Sequence, residues 1–125
     1  MSTTTAATFD LGEFKRALKE RDSTAQLALY APDADVTLID RINTPSSPRV
    51  LRGHDEIRTW IEDICERDMT HRVDMQVLAE RGAGFTEACR YPDGTNVLAA
   101  TVLELTGGRI VRQIVVQAWD EPQST

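Results

Sequence analysis

The sequence predicts a single α+β domain, with helices gathered in its first half and strands in its second. Three observations carry that expectation. Apolar residues recur at helical spacing in three early segments, the last holding Ile57, Trp60, Ile61 and Ile64 in one continuous stripe. From His71 onward, four strand-like runs follow one another. Turn signals punctuate them: Arg81-Gly82-Ala83-Gly84, Pro92-Asp93-Gly94 and Thr106-Gly107-Gly108.

Residues 1–8 lack the basic start and apolar stretch of a signal peptide, so they are expected to be a disordered tail. The same is expected of 121–125, leaving 9–120 as the domain. From Phe9 to Arg21, Leu11, Phe14, Ala17 and Leu18 share a helical face. Asp10 is placed to cap this helix, with Glu13 completing a capping box. Asp22 or Ser23 caps a second helix carrying Leu27, Ala28 and Tyr30, which Pro32 stops. Val36 to Ile42 reads as the first strand, with Val36, Leu38 and Asp40 on one face.

Asn43 to Pro48 is a loop, and Arg49 to Arg52 a short strand. His54 or Asp55 opens the third helix, where Asp55 and Glu56 suit the positive end of the helix dipole. The remaining strands are expected over His71–Glu80, Phe85–Tyr91, Asn96–Leu105 and Arg109–Trp119.

Composition narrows the function. With 125 residues, 41% hydrophobic and 27% charged, the chain has the balance of a soluble globule able to bury a core. A net charge of −6 argues against a surface that tracks nucleic-acid phosphates, and no apolar run reaches the length of a membrane span. Cys65 and Cys89 lack metal-ligand spacing and read as reduced thiols in or near the core, which suits a cytoplasmic protein. No phosphate loop, nucleophile elbow, paired-histidine zinc motif or CxxC occurs, so neither a metal nor a cofactor is expected.

Two segments carry a family likeness. Leu29-Tyr30-Ala31-Pro32-Asp33-Ala34-Asp35-Val36 ends a helix and opens a strand, and Leu51-Arg52-Gly53-His54-Asp55-Glu56-Ile57 closes a strand and starts a helix. With the closing strand that begins Gly108-Arg109-Ile110, this order resembles the SnoaL-like proteins of the nuclear transport factor 2-like (ketosteroid isomerase-like) superfamily. The resemblance implies a cystatin-like α+β roll, in which a curved, mixed sheet wraps around helices to form a cone-shaped pocket. It also implies a homodimer joined through the outer face of the sheet.

It does not fix the reaction, because one fold hosts many. The ketosteroid isomerase tyrosine, late-strand aspartic acid and general-base aspartate fall on Phe14, Thr101 and Leu38, none of which can act in those roles. In limonene epoxide hydrolases the arginine–aspartate pair and the last aspartate fall on Ala88, Arg90 and Val115, which again removes the water-activating carboxylates. SnoaL-type cyclases use a histidine–aspartate or single-aspartate acid/base, for which His71 and Asp40 are the candidates.

His71 shares one face with Val73, Met75 and Val77 by strand parity, heading an apolar row into the cone; its alternative role is tying a strand end. Phe14, Leu38, Trp60, Ile64, Thr101, Gln117 and Trp119 are the expected pocket lining. Arg90, if inward, would bind a carboxylate or enolate and pair with Asp40, and if outward would be solvated. Glu87 and Glu104 read as exposed or rim charges, His54 as a surface or capping residue, and Tyr91 as marking the mouth or the edge. Two readings stay open: an acid–base enzyme acting on a small apolar organic molecule, and a non-catalytic ligand-binding or dimerisation module.

Overall fold

The computed structural model describes residues 8–120; most of the expected N-terminal tail and all of the C-terminal one lie outside the described residues. Its elements run α1 (Leu11–Lys19), α2 (Ser23–Ala28), β1 (Tyr30–Ile39), β2 (Arg49–Arg52), α3 (Gly53–Glu66), β3 (Thr70–Leu78), β4 (Gly82–Arg90), β5 (Asn96–Thr106) and β6 (Arg109–Trp119). The six strands form one mixed sheet in the order β2-β1-β6-β5-β4-β3. β1 runs parallel to β6, and every other neighbouring pair is antiparallel. This is the α+β roll that the sequence predicts.

Asp10 caps α1 through a hydrogen bond from the Glu13 N–H at 2.9 Å. The reciprocal half of the expected capping box does not form, because the Glu13 carboxylate turns to the Arg16 guanidinium instead. Asp22 caps α2, accepting from the Ala25 N–H at 3.1 Å. α2 ends before Tyr30, contrary to expectation. Tyr30 already belongs to β1, and Pro32 lies in the irregular stretch between the Tyr30 and Asp35 pairings with β6, where a missing N–H costs no ladder bond. Gly53 opens α3 at φ +81°, a conformation that favours glycine at this sharp strand-to-helix corner.

The core lies between the helices and the concave face of the sheet. Phe14 from α1, Ile57 and Ile61 from α3, and Val36, Leu103 and Ile110 from the sheet are essentially inaccessible to water. Phe14 meets Phe9, Tyr30 and Phe85 in tilted or edge-on aromatic contacts with ring centroids 5.7–6.5 Å apart. The convex face stays uncovered in the single chain, with Leu98 and Val102 of β5 beside Ile114 and Val116 of β6.

Two bulges decide which residues face the core. In β3, Val73 pairs with Glu87 and Gln76 with Phe85, so Asp74 and Met75 together oppose Thr86 alone. The Thr86 hydroxyl accepts the displaced Met75 N–H at 3.2 Å. Beyond this bulge the parity flips. Met75 and Val77, expected in the inward row headed by His71, are each 72% exposed. In β6 the pairing slips next to Val111, which turns Ile110 inward together with Gln113. The Gly82-Ala83-Gly84 segment, expected as a turn, is the start of β4; the turn itself closes with Ala79 N–H donating to the Gly82 carbonyl at 2.8 Å.

Candidate functional site

Antiparallel pairing places directly opposite residues on the same face, so the concave side of the sheet can be read as rows. One row runs His71, Cys89, Val97 and Trp119; the next runs Val73, Glu87, Ala99 and Gln117; a third brings Phe85, Thr101 and Val115 together. These rows and the inner sides of α1 and α3 enclose a cavity of about 390 Å³, within the usual size range of small-molecule sites.

The expected lining residues fall as follows. Phe14, Trp60 and Ile64 line the cavity from the helices, and Leu38, Thr101, Gln117 and Trp119 from the sheet. Arg90 does not line it. Cys89 and Glu87 face inward, so their neighbour Arg90 alternates outward and is exposed. His54 sits on the first turn of α3 and bonds the Tyr30 carbonyl through Nε2 at 2.8 Å, tying helix to strand.

His71 lines the cavity with its side chain only 4% exposed. Its partner is Glu87 rather than Asp40. The His71 Nδ1–H donates to Glu87 Oε2 at 2.7 Å, and the Glu87 side chain is 13% exposed, so it is not the rim charge the sequence suggests. A donated Nδ1–H leaves the exchangeable lone pair of the neutral ring at Nε2. Cys89 Sγ lies 3.4 Å from the same Nδ1. Burial, followed by the charge of Glu87 and a hydrogen bond to it, pushes the Cys89 thiol up to about 12.

Asp40 also borders the cavity, yet it is fully engaged locally. Oδ1 accepts from the Ile42 and Asn43 N–H groups at 2.8 and 2.7 Å, and the Asn43 side-chain amide reaches both carboxylate oxygens. Partial burial pushes its pKa up, but these bonds and the nearby Arg41 charge outweigh burial and hold it below the ordinary carboxylate value. Between Asp40 at the end of β1 and Glu87 on β4 stand β6 and β5. Three strand spacings amount to roughly 14 Å along the sheet. Asp40 thus bonds within its own loop and His71 bonds Glu87, and no hydrogen bond joins the two.

Several cavity residues escape the sequence reading. Tyr30 is buried and donates its phenolic O–H to Gln113 Oε1, also buried. Burial first and the Glu87 charge second raise the Tyr30 pKa well above its ordinary value, so the phenol stays protonated. At the mouth, the Arg41 guanidinium lies 4.4 Å from the centroid of the Trp119 ring. Tyr91 stacks on the same ring at 5.7 Å, and Arg67 donates to the Tyr91 hydroxyl at 3.3 Å. Cys65 and Cys89 are both free thiols, and both border the cavity. No helix among the described residues is long and apolar enough to cross a membrane.

The model of the SnoaL-like domain family matches residues 11–113. No curated protein is significantly similar in sequence. Among solved structures, a nuclear transport factor 2-like protein of unknown function from Mesorhizobium loti superposes with a TM-score of 0.75 at 15% identity, covering 86% of this chain and 87% of that one. A Kribbella flavida protein provisionally named a ketosteroid isomerase gives 0.72 at 17% identity, covering 91% and 77%. SalBIII, an epoxide hydrolase/cyclase-like enzyme with a role in pyran ring formation in the polyether salinomycin, gives 0.68 at 19% identity, covering 86% and 87%. At such identities the superpositions speak to the fold alone. With the family match spanning most of the sequence, the chain belongs to the SnoaL-like domain family, and its fold is that of nuclear transport factor 2-like proteins.

Proposed function

We propose that the chain binds a small, largely apolar organic molecule in the cone and performs acid–base chemistry on it, with His71 exchanging the proton and Glu87 orienting the imidazole. The observation that carries this reading is the 2.7 Å His71–Glu87 hydrogen bond on the wall of a cavity of about 390 Å³. Phe14, Leu38, Trp60 and Phe85 supply apolar walls, while Tyr30 and Gln113 add a protonated phenol and an amide. A carboxylate-oriented histidine fixes the tautomer that leaves a lone pair free to accept a proton. Asp40 serves this reading as the support of the mouth loop.

The test uses 5-nitrobenzisoxazole, a flat carbon acid whose ring opens when a positioned base removes its proton. Binding is followed by quenching of Trp60 and Trp119, and ring opening by the phenolate product, with a chelator present throughout. Saturable opening by the wild type is expected, falling about 100-fold in His71→Ala and less in Glu87→Gln. A rate equal to that of buffer, or one unchanged in His71→Ala, overturns the acid–base role. Quenching without turnover would indicate a ligand-binding module.

A second observation bears on assembly. The convex face presents a continuous aliphatic surface, with Val77, Val102 and Ile114 in one cross-strand row and Leu98 and Val116 beside it. We infer that a second copy covers this face, making the protein a homodimer. A twofold pairing would bury the same residues on both subunits.

A further inference from the structure

We propose that His71, Glu87 and Cys89 form a transition-metal site of the open, three-ligand kind, best suited to zinc. This goes beyond the acid–base reading and competes with it for the same atoms.

The site follows from the β3–β4 pairing. His71 and Cys89 are directly opposite each other in the antiparallel ladder, and Glu87 lies two residues before Cys89 on the same inward face. Three donors from two hydrogen-bonded strands are thereby held on a rigid surface rather than a loop. One donor atom from each residue lies within 4.8 Å of the other two, and Nδ1 stands 2.7 Å from Oε2 and 3.4 Å from Sγ. Among the described residues, this is the group of histidine, cysteine and acidic side chains that meets that closeness.

The nitrogen–sulfur separation suits a tetrahedral ion. Zn–N and Zn–S bonds of about 2.05 and 2.3 Å at a tetrahedral angle separate nitrogen from sulfur by about 3.6 Å; Nδ1 and Sγ stand 3.4 Å apart. Nitrogen and a carboxylate oxygen on the same ion would stand about 3.3 Å apart, so the 2.7 Å His71–Glu87 contact has to open by about 0.6 Å. Loss of the Nδ1 proton between them permits that opening.

Charge and chemistry select the ion. One carboxylate and one thiolate neutralise a divalent cation in a half-buried place, where an uncompensated charge would be costly. A nitrogen, a sulfur and an oxygen suit a borderline-soft ion and exclude magnesium and calcium, which require oxygen. The fourth position faces the cavity and would be taken by water or by an oxygen of a bound molecule. On binding, the Cys89 S–H bond breaks and its proton leaves to solvent. The imidazole proton moves to Nε2 as the neutral tautomer, and Zn–S, Zn–N and Zn–O bonds form without change of oxidation state.

The spacing of the two cysteines does not reveal this site, because only one of them belongs to it and the other donors come through strand pairing. Cys65 borders the same cavity and serves as the internal control.

The experiment titrates chelator-treated, fully reduced full-length protein with cobalt(II), a spectroscopic stand-in for zinc. A thiolate-to-cobalt charge-transfer band is expected, saturating at one equivalent, with the intense visible bands of four-coordinate cobalt, and zinc should abolish both. Cys89→Ser should lose the charge-transfer band while retaining the wild-type circular dichroism, and Cys65→Ser should keep it. His71→Ala and Glu87→Gln should each weaken cobalt binding about tenfold or more. No charge-transfer band in the wild type overturns the site, as does a band that follows Cys65, or affinity unchanged in both the His71 and Glu87 variants. None of these readouts depends on turnover, so the metal site and the acid–base reading can fail separately.

Discussion

Tyr30 joins three parts of the molecule. Its carbonyl accepts from His54 on α3, its ring meets Phe14 of α1 edge-on, and its hydroxyl donates to Gln113 of β6. Tyr30→Phe keeps the ring but leaves the Gln113 oxygen without its donor. An expected loss of about 1–3 kcal/mol follows from stranding a buried acceptor, read as a lower urea midpoint at unchanged slope. Asp40 acts at the mouth in a similar local way. Asp40→Ala should cost about 1–2 kcal/mol at neutral pH by freeing the Ile42 and Asn43 amides. The pH dependence has a definite sign. Because the folded-state pKa is lowered, the carboxylate's contribution is fully present above its ordinary value of 3.8 and is lost as pH falls through the lower folded value. The gap between wild type and variant should therefore narrow on acidification below about pH 4, which urea denaturation at several pH values would check.

Elements decide what single residues can do, and the first helix shows it most clearly. Phe14 is the largest side chain that α1 sends into the cone, touching Phe9, Tyr30 and Phe85. Phe14→Ala should cost about 3–5 kcal/mol from lost contacts and the void left behind, measured by chemical denaturation, and should enlarge the cavity for bulkier ligands. Element order and type were legible because apolar spacing changes from the helical period to strand runs after Ile64, and glycine turns mark the hairpins. Sidedness was less so. Asp74 and Met75 carry no sequence mark of a bulge, yet that one extra residue sends Val77 outward. Glu87 and Arg90 look alike as strand charges, and only the pairing of Cys89 with His71 shows that the glutamate is inside and the arginine outside. The assignment of Tyr30 to a helix failed because its helical spacing from Leu27 also fits the first residue of a strand.

On the scale of the whole molecule, the sheet has one covered and one bare face. The bare face gathers Met75, Val77, Leu98, Val102, Ile114 and Val116, all of them well exposed in the single chain. Isolated exposed aliphatics are ordinary, but a contiguous set across neighbouring strands marks an interaction surface. If a second copy covers this face as proposed, replacing Val102 and Ile114 by glutamate should convert dimer to monomer, because like charges would meet across a desolvated twofold. Light scattering during size-exclusion chromatography would check this; a wild-type mass equal to that of one chain overturns the dimer.

The place of β6 in the sheet has a consequence for how the chain comes into being. β6 is the last of the described strands in chain order, yet it lies between β1 and β5 and makes the only parallel pairing among them. Until Arg109 to Trp119 leaves the ribosome, β1 and β5 each lack the neighbour that joins them in the folded sheet. The nascent protein thus cannot close its core by growing outward from an early nucleus. Closure of the sheet waits for β6 to enter between β1 and β5, and any strand formed before then presents an unpaired edge to chaperones or to other unfinished chains.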